Sequence, residues 1–199
     1  MQIDKPLIKH AKEFMQQIDD GNVMVSAQGI MFPKLSAMVA GEYLVSSPGY
    51  EDSVEANLLP TQALNHILNV ALDSSTAKAG AFYLALFSGD YTPVAGLTAA
   101  TFAASAGELT SNTEGYSETT RRVWTPAPAA SGMIDNTASR ANFTIATGTS
   151  VVIRGAALLS EAVKGSTAGV IISCARFSQA RTQYNADAFT LGYRVTLTA

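Results

Sequence analysis

The sequence predicts an all-β domain, a two-sheet sandwich or barrel, preceded by an N-terminal helix and an extended arm. Three observations carry this. The hydrophobic period changes from 3.6 to 2 near residue 81, several short alternating runs follow, and Gly- and Pro-containing stretches separate them. In the last run Phe189, Leu191, Tyr193, Val195 and Leu197 point one way, while Thr190, Gly192, Arg194, Thr196 and Thr198 point the other, as in a half-buried strand. Short strands with few helices among them close into two packed sheets or a barrel.

The first element is a helix that starts after Asp4 and ends before Gly21. Leu7, Ile8, Ala11, Phe14, Met15 and Ile18 share one face, Asp4 serves as N-cap and Gly21 as the residue beyond the last turn. A single helix cannot bury that stripe alone, so it lies on its own domain, on a second copy or on a different partner. Residues 23–60 hold short apolar pieces punctuated by Pro33, Gly41, Pro48-Gly49 and Pro60, which predicts an extended arm. Leu7, Phe14, Ile18, Ile30, Phe32 and Tyr43 are the apolar contacts this arm offers a partner. The chain therefore divides into residues 1–60, helix and arm, and residues 61–199, the β domain with a leading short helix.

That short helix spans residues 61–72, after Pro60, with Leu64, Ile67, Leu68, Ala71 and Leu72 on one face. Residues 81–87 alternate apolar with apolar and predict a strand buried on both faces. Residues 121–125, 140–147, 150–159 and 169–177 are further strands, and the alanine-rich 97–106 stretch forms a helical turn in a long excursion.

Apolar residues make up 47% of the chain and charged residues 15%, below the usual ~25%, so much of the surface is small and neutral and suits flat contact between chains. A net charge of −3, with Arg121-Arg122 the only adjacent basic pair, gives no field to gather nucleic acid. No run approaches the ~20 apolar residues that span a bilayer, and no basic-then-apolar leader opens the chain. Cys174 is the single cysteine, so no internal disulfide forms, and a reducing cytoplasm is the expected site of synthesis.

Catalytic and metal chemistry find little footing. His10 and His66 sit on different helices without a second ligand at metal spacing, so neither zinc nor another cofactor is expected. Cys174 alternates with Val170 and Ile172 and reads as a small buried hydrophobe. No Gly-x-Ser-x-Gly elbow is present, and Gly165-Ser166-Thr167-Ala168-Gly169 lacks the Gly-Lys-Ser/Thr ending of a phosphate loop and reads as an inter-strand turn. Asp19-Asp20 and Glu51-Asp52 read as solvated acids. No catalytic, cofactor or metal residue is assigned.

The most distinctive passage runs from Glu108-Leu109 to Tyr116-Ser117-Glu118-Thr119-Thr120-Arg121-Arg122-Val123-Trp124. It gathers acids, arginines and the only Trp where a loop meets a strand, and an arginine fork can pin such a loop through charge-assisted hydrogen bonds. Tyr116, Glu118, Arg121 and Trp124 are the expected members of this structural clamp.

From about Ala63 onwards the order of features resembles a family of small bacteriophage virion proteins. The resemblance is carried by Phe82-Tyr83-Leu84-Ala85-Leu86-Phe87, Thr92-Pro93, Glu108-Leu109, Tyr116-Ser117-Glu118-Thr119-Thr120-Arg121 and Trp124. It continues through Gly132-Met133-Ile134-Asp135-Asn136, Phe143, Gly155-Ala156, the Gly165 to Gly169 turn and the closing strand from Leu191 to Leu197. Members of this family are capsid cement (decoration) proteins with jelly-roll folds, or head-fibre or tail-fibre-like proteins. One departure lies before the last strand, where Asn185-Ala186-Asp187 replaces the family's Gly-Asp.

The resemblance implies a jelly-roll sandwich on the capsid surface of a virion, made in the bacterial cytoplasm and binding between major capsid subunits, with no enzymatic activity. Its partners would be the major capsid protein and other copies of itself, as dimer or trimer, with no nucleic acid and no membrane. The arm residues named above would then lie along the capsid lattice. The alternatives are a tail or head-fibre adaptor with the same fold, and a carbohydrate-binding or hydrolytic sandwich in which Trp124, Tyr91 and Tyr116 form a sugar platform.

Overall fold

The computed structural model describes residues 38–73 and 75–198, together with residues 23–25 and 31–33 and positions 12, 15 and 16. Lys12, Met15 and Gln16 have helical backbone within the predicted first helix. Leu7, His10, Phe14, Ile18 and Ile30 lie outside the described residues. The chain divides into two units, residues 1–38 with 198–199 and residues 39–197. In the first, β1 (Val23–Val25) pairs antiparallel with β2 (Met31–Pro33), which places Phe32 in a strand opposite Met24.

The second unit is mostly β-sheet, in two antiparallel sheets. One has the order β4 (Ser53–Ala56), β3 (Met38–Ser46), β12 (Ala188–Thr198), β9 (Ala141–Ala146), β6 (Gly115–Tyr116), with β8 (Met133–Asp135) also paired to β12. The other has the order β11 (Ile171–Gln183), β10 (Val151–Leu159), β5 (Phe82–Phe87), β7 (Arg122–Trp124). Two helices are described in this unit, α1 (Thr61–Leu72) and α2 (Ala99–Ala106).

Period-2 alternation builds the main core between the sheets. Tyr43 and Val45 of β3, Phe143 and Ile145 of β9, and Phe189, Leu191 and Tyr193 of β12 face Leu84 and Leu86 of β5 and Ile153 of β10. The other face of β5 is also covered, as its apolar-on-apolar alternation predicts. Ala85 and Phe87 join Ala157, Leu159 and Cys174 in a second core closed by Leu97, Ala99, Phe102 and Ala106. The 97–106 excursion is thus a lid for the four-stranded sheet, and full burial of Phe102 contributes roughly 1.5–3 kcal/mol. α2 begins at Thr98, where the Thr101 hydroxyl accepts the Thr98 N–H at 3.2 Å, and ends at Gly107, whose φ of 67° is open to glycine without strain.

The expected boundary at residue 60 moves to residues 38/39. β3 and β4 are strands of the sandwich, with Gly41, Tyr43, Val45 and Ser47 buried and Glu42, Leu44 and Ser46 half-buried between them. Pro48-Gly49 makes the turn between the two strands instead of interrupting a fold, with Gly49 at φ 77°. Tyr43 is accordingly a core residue, not an arm contact: it is fully buried, packs at a tilt against Tyr193 with ring centroids 4.7 Å apart and shares a 2.5 Å hydrogen bond with Ser173.

The outer edge of β11, an exposed template for another strand in an open sheet, is capped from within. Leu58 and Cys174 exchange both backbone hydrogen bonds, Glu55 accepts the Ser178 N–H and the Tyr50 hydroxyl accepts the Thr182 N–H, the last two at 2.8 Å.

Candidate interaction surface

The sequence-predicted clamp forms around a different acid. Immediately before β7, the Arg121 guanidinium donates Nε to Glu108 Oε1 at 2.7 Å and Nη2 to Glu108 Oε2 at 2.8 Å, a bidentate pair with both side chains fully buried. Its Nη1 donates to the Glu161 carbonyl at 2.9 Å and Nη2 also to the Ser166 carbonyl at 3.4 Å. Gly165 N–H completes the Glu108 carboxylate at 3.0 Å, and Arg121 N–H reaches the Ala162 carbonyl at 2.8 Å. The pair therefore fastens the loop between β10 and β11, which contains the Gly165 to Gly169 turn, onto the start of β7. Its polar groups satisfy one another, which makes it a staple of the fold.

Glu118, expected in the clamp, accepts the Thr144 N–H at 3.2–3.3 Å and ties the segment after β6 to β9. Tyr116 packs edge-on to Phe143 at 5.0 Å, and Lys164 sits 3.5 Å over its ring while donating to Asn112 Oδ1 at 2.8 Å and to the Tyr116 carbonyl at 2.9 Å. Burial pushes the Lys164 ammonium down to about 8, against the opposing pull of Glu118 and Glu108. Burial first, and Glu108 next, raise the Tyr116 phenol. Trp124 belongs to the inter-sheet core and donates Nε1 to the Tyr193 carbonyl at 3.2 Å.

The remaining sequence candidates also find structural tasks. Tyr116 is fully buried, Trp124 only 8% exposed and Tyr91 packed edge-on to Phe87, so the three rings do not form an exposed platform for a sugar. Cys174 lies in the second core, where burial pushes its thiol up and away from the reactive thiolate. Asp52 stands 4.0 Å from Arg140, and the Glu51 carbonyl accepts from Arg181.

What the sequence did not single out as a surface is α1. Its first turn is held by Thr61 N–H on the Ala95 carbonyl, and the Gln62 amide oxygen accepts both Ala99 N–H at 2.9 Å and Ile171 N–H at 3.1 Å. This anchoring turns Ala63, His66 and Val70 inward, and Ala63 is the one residue of the helix that is fully buried. Leu64, Leu68, Ala71 and Leu72 are left in solvent. The apolar stripe visible in the sequence thus faces outward, except for Ile67 at its inner margin.

Along its inner side α1 leaves an apolar cleft of about 280 Å³ at the mouth of the inter-sheet core, lined among others by Ile67, Val70, Phe82, Trp124, Ile134 and Val195. A neighbouring depression of about 320 Å³ shares Lys78, Phe82, Trp124 and Ile134 and runs on past Val123 and Pro126. Lys78 is the only charged residue lining either one. Such a wall recognises aliphatic or aromatic groups, with little to orient a polar substrate.

A comparison with protein-family models matches none of them, and a comparison with curated proteins finds no match.

Proposed function

We propose that the chain is a structural protein of a bacteriophage virion, a capsid cement protein that binds between major capsid subunits and stabilises the head. The observation that carries the assembly part is the apolar cleft between α1, Phe82, Trp124, Ile134 and Val195, with its neighbouring depression, opening at the surface of a charge-poor sandwich. A cleft of this size and lining takes an apolar side chain from another protein, the kind of anchor around which protein interfaces concentrate their energy. The capsid part is supported by the resemblance of the segment from Ala63 onwards. Modest contacts of this kind become effective when repeated on a lattice, because each bound neighbour raises the effective concentration for the next.

Within the sandwich class we place the fold with the jelly rolls. The crossings between sheets from β4 to β5, β5 to β6, β6 to β7, β7 to β8, β9 to β10 and β11 to β12 support this, while the β3–β4 and β10–β11 hairpins each stay within one sheet.

Copy number in purified particles tests the reading. Cement requires on the order of hundreds of copies and a shell that loses heat resistance without the protein; about a dozen copies at one vertex would instead make it a fibre adaptor. Val123→Glu, at an exposed position beside the cleft, is expected to keep the fold and weaken shell binding at least about tenfold. Full retention of binding by that variant would remove the cleft from the interface.

A further inference from the structure

Residues four apart on a helix form a ridge, and Leu64, Leu68 and Leu72 make one along the outer side of α1, 42%, 55% and 82% exposed. Thr61, Asn65 and Ala71 flank it and are exposed as well. A helix with three leucines in a row ordinarily turns them toward its own domain, since each buried side chain contributes roughly 1.5–3 kcal/mol. Here Gln62 and the Thr61 backbone fix the opposite orientation. Leucines held in water by the fold's own hydrogen bonds mark a contact with something outside the unit.

The character of the flanks selects the occupant. From Thr61 to Leu72 the helix contains no Lys, Arg, Asp or Glu. An isologous contact sets each group against its own kind across a two-fold axis, so a charge near the axis meets its like. A ridge of Leu between Thr, Asn and Ala meets itself without that repulsion, whereas a face built for a charged partner carries complementary charge at its rim.

We propose that two copies of this chain pair through α1, the Leu64–Leu68–Leu72 ridge of each packing into the groove beside the ridge of the other. The pairing rests on the assembly reading above, in which other copies of the chain are partners, and adds to it the surface used. Two such ridges interlock at a crossing angle of about −50°. A helix of this length spans about 18 Å. The contact therefore falls below the ~800 Å² per partner of a standard interface, and the dimer is weak and reversible in dilute solution. Copies held side by side on a common support pair far more completely.

Sedimentation velocity of the full chain, from about micromolar to about millimolar, is expected to show a reversible monomer–dimer equilibrium. Leu68→Glu should weaken association at least about tenfold with the thermal midpoint unchanged, because the side chain is solvated in the monomer. As an independent readout, Leu68→Cys should form a disulfide-linked dimer under mild oxidation, and Asn69→Cys, on the flank of the helix, should not. A chain that stays monomeric throughout, a dimer indifferent to Leu68→Glu, or equal cross-linking at both cysteines would overturn the proposal. Counting copies in particles separates the two readings. Self-association without incorporation overturns the virion assignment alone, and incorporation of a chain monomeric at every concentration overturns the pairing alone.

Discussion

Arg121 and Leu72 are opposite exceptions to where residue types are ordinarily found. The arginine is 1% exposed and the leucine 82% exposed. Around Arg121 the chain supplies everything a buried charge demands: a bidentate carboxylate from Glu108 and two loop carbonyls. Around Leu72, and along the ridge it ends, the second unit supplies no apolar cover. A costly burial that is closed internally belongs to the fold. A costly exposure left open by a well-anchored helix belongs to an interaction.

The largest expected effect breaks the closed side. Arg121→Ala strands the Glu108 carboxylate in the core and releases the 160–170 loop, and a loss of about 3–5 kcal/mol in urea unfolding is expected. Replacing both partners, Arg121→Met with Glu108→Met, should recover most of that loss, because two apolar side chains need no countercharge. Glu118→Ala leaves the pair intact and should cost less than about 1 kcal/mol. If Glu118→Ala costs as much as Arg121→Ala, the assignment of Glu108 as the acid of the clamp fails.

Strands marked by alternation, as in β9 and β12, and by short apolar runs, as in β5 and β10, were legible, and so was an arginine-centred clamp in the 116–124 passage. Which acid meets Arg121 was not, since Glu108 is brought there by the turn of α2 into the following loop, a tertiary event without a local trace. β3 is not legible because Pro48-Gly49 and Pro60 look like breaks in a domain, whereas Pro48-Gly49 turns between two of its strands and Pro60 caps α1; deleting residues 1–60 would pull Tyr43 and Val45 out of the core. For α1 the stripe was visible but its direction was not, because Gln62, polar and unremarkable in sequence, sets the rotation of the helix. In the turn at Asn185-Ala186-Asp187, Ala186 adopts φ 67°, where glycine would be unstrained.

Two smaller substitutions sharpen the contrast. The Tyr116 hydroxyl is buried and has no hydrogen-bond partner among the described residues, and Nε of Arg122, beside the clamp arginine, is a second such atom. Tyr116→Phe is expected to raise stability by about 1 kcal/mol, and a loss of that size would mean the hydroxyl is paired in solution. Leu72→Ser removes a large apolar side chain from water and should change monomer stability by no more than about 0.5 kcal/mol. A cost near that of a buried leucine would show that the ridge is covered by its own chain and would erase the difference between the two regions.

The finest test is made with Lys164, half-buried between the two extremes, at the rim of the clamped loop. Its folded-state value of about 8 lies below its ordinary 10.5. Below pH 8 both states carry the proton, and the fold holds an ammonium partly stripped of water. Between these values the unfolded chain retains the proton that the folded chain has released, so the unfolded state binds more protons and this group's contribution to stability rises with pH. Above 10.5 the contribution is level. Lys164→Met removes the titration while keeping much of the apolar stem against Tyr116. The stability of the parent chain relative to that variant, measured by urea midpoints from pH 7 to 10, should therefore climb through the upper part of the range. A flat or falling difference would place the ammonium in water, free of the Tyr116 ring, and would detach the loop's outer edge from the buried pair that anchors it.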